Sequence, residues 1–409
     1  MSLHSLLADL RKIVEPNTPG TTRRFPTAEY LQGRQWVRRR MEEAGLEVSL
    51  DAAGNMFGRR EGTEAGLLPI MVGSHSDTVY AGGHLDGALG VTVALEAART
   101  LGPLRHPLVV VDYLAEEAND FGISCVGSRA LAGTFQQAWL ARPAHGTTLG
   151  QAIEQAGGRP EAIASAQLPQ GSLHAALELH IEQGPVLESS NISLAVVSGI
   201  VGITRGTFVL RGQADHAGTA PMGLRRDALA AAAQLVLLVE EICRSTEGAV
   251  GTVGRLEVEP NQSNVVPDKV TMIAEVRHLE EAALAQLWED FQQRAAEICG
   301  KRGIGFEMVS LTRTPPARPP QWLLEAVLDA CREVDPKTLV LQSGAGHDTG
   351  HICAQGAIML FVPSIGGRSH CPEEDTHSHH LDAGLEAIKA SILALDILER
   401  PERCDEAAR

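Results

Sequence analysis

Two apolar runs, PIMVGSH (69–75) and LVVVDYL (108–114), each pass directly into polar residues that can do chemistry. Runs of this kind read as strands buried on both faces. Between them, Gly87 to Leu101 places Val91, Leu95, Ala98 and Leu101 on one stripe, the period of a helix. Strand, helix and strand in succession imply an α/β fold built on a largely parallel sheet. In such sheets ligands gather beyond the carboxyl ends of the strands. His75, Asp77, Glu116 and Glu117 all fall there.

The pattern changes near residue 203. Ile203–Arg211, Val250–Val258, Val270–His278 and Gly305–Leu311 read as strands, with helices at Asp227–Ile242 and Glu281–Cys299. This β-α-β-β-α-β order predicts a small α+β, ferredoxin-like sandwich with both helices on one side. After the stiff segment TRTPPARPP, helix (321–334), strand (357–362) and a closing helix from about Asp382 resume. The reading is therefore a larger domain of residues 1–205 and 321–409, split by an inserted domain of residues 206–320.

A length of 409 residues fits more than one domain, at roughly 150 residues each. The net charge of −16 and an aromatic share of 4% argue against nucleic-acid or anionic-lipid partners. No apolar window is long enough for a membrane span. Asp9, Arg11 and Lys12 interrupt the first apolar stretch, which does not read as a signal peptide. The seven scattered cysteines form no CxxC pair and read as reduced thiols, hence a cytoplasmic protein.

The densest motif is GSHSDTVYAGGHLDG (73–87), followed by the pair Glu116–Glu117, by His180 in LELHIEQGP and by His370 in GGRSHCPEED. Histidines with Asp and Glu at strand ends form a nitrogen and oxygen donor set, suited to Zn²⁺, with Mn²⁺, Co²⁺ or Ni²⁺ as substitutes. A two-metal hydrolytic site needs one carboxylate between ions about 3.5–4 Å apart and another left uncoordinated as general base. Adjacent glutamates can divide those tasks, because neighbouring side chains on extended backbone point opposite ways.

These segments, with GGHLDGALGV, AEEANDFGISCVGSRALAG, DHAGTAPMGLRRDAL, PNQSNVVP and EVRH, resemble the hydantoinase/carbamoylase group of the di-zinc M20 superfamily over nearly the whole chain. The resemblance implies one metal on His75, Asp86 and His180, and a second on Asp86, Glu117 and His370, with Asp86 bridging. It implies Glu116 as general base and Asp77 as the group orienting His75. It makes the inserted domain a lid and dimerisation domain, whose His216 stabilises the oxyanion across a homodimer. Gln183, Asn264, Arg277 and Gly346 are implied substrate contacts; a guanidinium such as Arg277 suits a carboxylate. The implied reaction is hydrolysis of a linear C–N bond in a small ureido or amide substrate bearing a carboxylate. N-carbamoyl-L-amino acids are the leading candidates. Allantoate, β-ureidopropionate and N-acyl amino acids or dipeptides are alternatives, and a non-catalytic metal-binding homologue is the alternative of another class.

Other residues have plainer readings. Cys371 is taken as a passive thiol, and His377, His379 and His380 as a solvated turn. His84 reads as a non-ligand, His347 as pocket lining, and Glu178 as either a support for the ligands or an ion pair. Arg225 and Arg226 read as surface ion-pair residues. Asp215 is an unusual carboxylate beside His216 and bears on substrate choice.

Overall fold

The computed structural model describes residues 2–400. These residues form two compact units, one of residues 2–198 and 318–400, the other of residues 199–317. The sequence pattern places the joins at 205/206 and 320/321, a few residues further along the chain.

The larger unit is built on an eight-stranded sheet. Its strand order is Glu47–Leu50, Met56–Arg60, Leu108–Tyr113, Ile70–His75, Ala175–Ile181, Ala357–Val362, Ala195–Ile200 and Leu339–Ser343. The four middle strands, Leu108–Tyr113 through Ala357–Val362, run parallel, and antiparallel strands flank them. Alternate side chains explain the two covered faces. Ile70, Val72, Val110, Leu177 and Leu360 pack under Ala88–Thr100 and Ser378–Ile397 in one core, while Met71, Val109, Val111 and Ala176 enter another with Leu131 and Ile352. Burying a side chain of this size contributes about 1.5–3 kcal/mol each. Among the described residues, no helix is long and apolar enough to cross a membrane.

The smaller unit has the strand order Val250–Glu259, Lys269–His278, Gly202–Arg211 and Gly305–Thr314, all antiparallel. Lys269–His278 alternates strictly between buried and half-buried residues. Its buried face (Val270, Met272, Ala274, Val276) meets Leu235, Leu238 and Val239 of the Ala228–Arg244 helix, and Trp288 and Phe291 of the Glu281–Lys301 helix. Asp227 caps the first of these helices, its carboxylate accepting from the Ala230 N–H at 2.9 Å.

One reading is corrected here. The closing helix begins at Ser378 with His377 as its cap, so the His-rich patch is a helix start; His377 and His379 are solvent-exposed as expected, and His380 is not. His380 is buried there beside His379, at 3.9 Å between ring centroids, and burial followed by the neighbouring imidazoles lowers its pKa to about 4. Polar residues at a helix start carry no apolar period, which hid this turn in the sequence.

Candidate metal centre

The four middle strands share a direction, so their carboxyl ends meet at one edge of the sheet. His75 is the last residue of its strand, His180 lies one residue before the end of its own, and Glu116 and Glu117 follow the strand ending at Tyr113. Asp86 stands just before the Ala88–Thr100 helix. Gly87 joins them with φ of +63°, and a Cβ there would fall 2.3 Å from the His75 ring. Only glycine lets the helix start that close to the imidazole.

Two groups result: His75, Asp86 and His180, then Asp86, Glu117 and His370, with the ligand atoms in each within 4.8 Å of one another. Asp86 faces them with different oxygens. Its Oδ1 lies 3.5 Å from His75 Nε2 and 3.1 Å from His180 Nε2, while its Oδ2 lies 3.2 Å from His370 Nε2. Glu117 Oε1 is 3.4 Å from the same His370 nitrogen. A tetrahedral ion with bonds near 2.0–2.1 Å sets its donors about 3.3 Å apart, so the spacing fits. Moreover, His75 Nε2 and Glu117 Oε1 are buried with no hydrogen-bond partner among the described residues. Buried polar atoms are almost always satisfied, and a cation would satisfy both. The donor set fits divalent metal.

The other ring nitrogens point away and are held. His180 Nδ1 lies 2.9 Å from the Ile181 carbonyl and His75 Nδ1 lies 3.2 Å from the Asp77 carbonyl, which leaves each Nε2 to face the site. The Asp77 carboxylate lies 3.4 Å from His75 Nδ1 and accepts from the N–H groups of Glu116 (3.2 Å) and Glu117 (3.0 Å). Behind these side chains, Glu178 accepts from Ser74 Oγ at 2.6 Å and Thr349 Oγ1 at 2.5 Å. It is a hydrogen-bonded carboxylate on the inner side of the site, with no ion pair among the described residues.

Electrostatics follow from crowding acids where water is scarce. Burial opposes the charge on Asp86, but His180, His370 and His75 outweigh it and hold the carboxyl well below its usual range. Burial pushes Glu117 up to about 8, with Asp86 adding to the effect. Glu116 is raised well above its ordinary value by burial, helped by Glu117 and Asp348 and opposed by His75. The hydrogen bond to Asp86 lifts His370 to about 9, against its burial. Three carboxylates, those of Asp86, Glu116 and Glu117, thus converge on a space that divalent cations would neutralise, with Asp77 behind His75.

Glu116 belongs to neither ligand group. Its Oε2 is 3.7 Å from His75 Nε2, and its Oε1 lies 3.5 Å from the Cys125 thiol. The backbone there is strained: Ala115, Cys125, Gln183 and His370 all have positive φ without being glycine. Such conformations cost about 1–3 kcal/mol each and cluster at functional sites.

Gln183 donates from Nε2 to Asp86 Oδ2 at 2.8 Å and to Ser369 Oγ at 3.2 Å. Gly346 lies in the loop between Ser343 and the short Asp348–Ile352 helix. His347 is buried, with its ring 4.7 Å from that of His180 and its Nε2 on Ser343 Oγ at 3.0 Å. His84 is 3.8 Å from Asp375, in neither group. Cys371 is partly exposed and a member of neither group; the five other described cysteines are buried, and Cys404 lies outside the described residues.

His216, Asn264 and Arg277 belong to the smaller unit. His216 and Asn264 are neighbours: the Ala217 N–H donates to the Asn264 carbonyl at 3.0 Å. Arg277 is paired with Glu275 at 2.6 Å and lines a cavity of about 280 Å³ on the open face of the sheet, with Arg205 and Arg255. Asp215 accepts weakly from Gln213 at 3.4 Å. The surface ion-pair reading of Arg225 and Arg226 is corrected. Arg225 donates to the carbonyls of Ala217 and Ala220, and Arg226 to Gln213 Oε1 at 2.5 Å. Arg225 thereby braces the loop that carries His216, its guanidinium donating to two of that loop's carbonyls.

Glu374, Ser369 and Cys125 were not picked out by sequence reasoning, although SHCPEED and GISCVG contain them.

A profile of peptidase family M20/M25/M40 matches residues 61–394. The chain is 38% identical to an N-carbamoyl-L-amino acid amidohydrolase of Geobacillus stearothermophilus, over 95% of this chain and 97% of the relative. It is 34% identical to the allantoate amidohydrolase of Escherichia coli K12, over 92% and 93%. A crystal structure of an amidase of the hydantoinase/carbamoylase family from Burkholderia multivorans superposes with a TM-score of 0.87, at 32% identity, over 96% of this chain and 97% of that one. An aspartate shared by two donor groups, and similarity along almost the full length, lead to one conclusion: the chain belongs to peptidase family M20/M25/M40 and, within it, to the hydantoinase/carbamoylase family of amidases.

Proposed function

We propose that this amidohydrolase cleaves the ureido C–N bond of an N-carbamoyl-L-amino acid, giving the amino acid, ammonia and CO₂. The observation that carries the reading is Asp86, which turns Oδ1 to one donor group and Oδ2 to the other. His75, Asp86 and His180 would hold one ion and Asp86, Glu117 and His370 the second, with zinc the best match to three imidazoles and carboxylates. When bound, the ions polarise the carbonyl and lower the pKa of water.

The rest is the work of side chains. Glu116, buried and outside both ligand groups, takes a proton from the attacking water and returns it to the leaving nitrogen. Water adds at the carbamoyl carbon, the C–N bond breaks, and the carbamic acid decomposes to ammonia and CO₂. Arg277 binds the substrate carboxylate by a two-point contact, displacing Glu275 from its guanidinium. Gln183, Asn264 and the Gly346 backbone orient the remainder, and His216 supports the oxyanion. In this reading the smaller unit is a lid and dimerisation domain of a cytoplasmic homodimer. The free cysteines support that compartment.

Allantoate hydrolysis is the second reading, favoured by the 34% identity to the Escherichia coli enzyme over nearly the same span. The deciding experiment is ammonia release by metal-loaded protein from N-carbamoyl-α-amino acids, N-carbamoyl-β-alanine, allantoate and N-acetyl amino acids. Highest kcat/KM on an N-carbamoyl-L-amino acid is expected, and a preference for allantoate would replace the first reading by the second.

A further inference from the structure

Glu374 sits four residues beyond His370, is 2% exposed, and coordinates nothing in either donor group. Its Oε1 accepts two consecutive backbone N–H groups, those of Leu85 at 2.9 Å and Asp86 at 3.0 Å, across 289 and 288 residues of chain. Its Oε2 accepts from Ser369 Oγ at 2.9 Å, and the same hydroxyl lies 3.0 Å from Asp86 Oδ2. Ser369 has one hydrogen and lies within reach of both carboxylates, so it can donate to either one but not to both at once. Glu374 therefore grips Asp86 from behind through its peptide, and Ser369 stands in front between the two carboxylates.

The loop before Asp86 is shaped to admit this carboxylate. A Cβ on Gly83 would fall 2.0 Å from Cδ and Oε1 of Glu374. Leu85 is fully buried, so the loop has no freedom to move aside. No lysine or arginine pairs with Glu374 among the described residues. Its charge is met by N–H and O–H donors alone, and ionised acceptors of that kind form the stronger hydrogen bonds.

We propose that Glu374 is the positioning residue of the bridging carboxylate. It fastens the segment that carries His370 to the backbone of Asp86, so that the donors of the two groups are set as one unit. Without it, Asp86 keeps its side chain but loses the orientation that gives each group its own oxygen. This inference rests on the ligand assignment above.

The test is metal affinity, read by competition of Zn²⁺ and of Mn²⁺ with a chromophoric chelator and by metal content after gel filtration. Glu374→Ala is expected to weaken binding 10–100-fold, the usual effect of removing a support behind a ligand. Glu374→Gln keeps an oxygen over the two N–H groups and is expected to stay within about threefold of the parent. Wild-type affinity for both ions in Glu374→Ala overturns the proposal. Should that variant not fold, Ser369→Ala removes the front contact, and wild-type affinity there combined with equally weak binding in Glu374→Gln and Glu374→Asp overturns it as well. His75→Ala separates the two levels: if it retains both ions, the ligand assignment itself fails, whatever Glu374 does.

Discussion

Asp77 accepts the backbone N–H of Glu116 with Oδ1 and, through Oδ2, that of its neighbour, while the same Oδ1 lies 3.4 Å from the ring of His75. One carboxylate therefore sets the direction in which the glutamate pair leaves the strand. Asp77→Asn keeps the shape but turns an amide NH₂ toward one of those N–H groups. A loss of 10–100-fold in kcat is expected with the fold intact, as for other supports of metal ligands. Unchanged kcat and metal content would remove Asp77 from the site.

Glu116→Gln should retain two metal ions, since the residue is in neither donor group. Turnover should fall by at least about 10²–10⁴-fold, the contribution of a well-placed acid–base group. Near-normal turnover, measured with metal content in the same preparation, would show that another group moves the proton.

Arg277 and His216 invite a paired test. Arg277→Ala should raise KM far more than it alters metal content, and an unchanged KM on the true substrate removes it from carboxylate binding. Mixing Glu116→Gln with His216→Ala protomers should restore partial activity if His216 of one protomer serves the metal centre of its partner. Failure despite proven subunit exchange counts against that sharing.

Stability should depend on neutral histidines away from the metal centre. His174 is lowered to about 4 by burial and by His106, its ring 4.2 Å from the His106 ring, and His351 is lowered to about 3 by burial and Arg129. Their folded pKa values lie below the unfolded value near 6.5, so the unfolded chain binds more protons between these limits. The stabilisation is present above about pH 6.5 and is lost as pH falls toward 4 and below. His174→Gln keeps a donor for the Leu395 carbonyl, 3.0 Å from His174 Nε2. The gap in thermal midpoint between parent and variant should narrow from pH 7 to pH 4.5. A constant gap would show that His174 does not carry this effect; carboxylates common to both proteins cancel in the difference.

The parallel core of the sheet was legible because Ile70–His75 and Leu108–Tyr113 are apolar throughout, which only burial on both faces explains. The hairpin Glu47–Leu50 and Met56–Arg60 was not. Its strands have four and five residues, too few to establish a period. The edge strand Leu339–Ser343 was lost for the same reason. At the site, His75, Asp86 and His180 stood out because they sit in dense glycine and acid motifs, and the fold brings them together. Glu374 could not be told from Glu373 and Asp375 beside it. Only a backbone loop almost 290 residues away decides which of the three acids is turned inward.

The strand Ala357–Val362 lies between Ala175–Ile181 and Ala195–Ile200, although in chain order it is the last of the eight. During synthesis, a growing chain has made every other strand of that sheet, and the whole inserted unit, before the central gap can be filled. His75, Asp86 and His180 emerge early and His370 nearly last. A nascent chain thus presents His75, Asp86 and His180 together long before His370 is made, so the two candidate donor groups are completed in order.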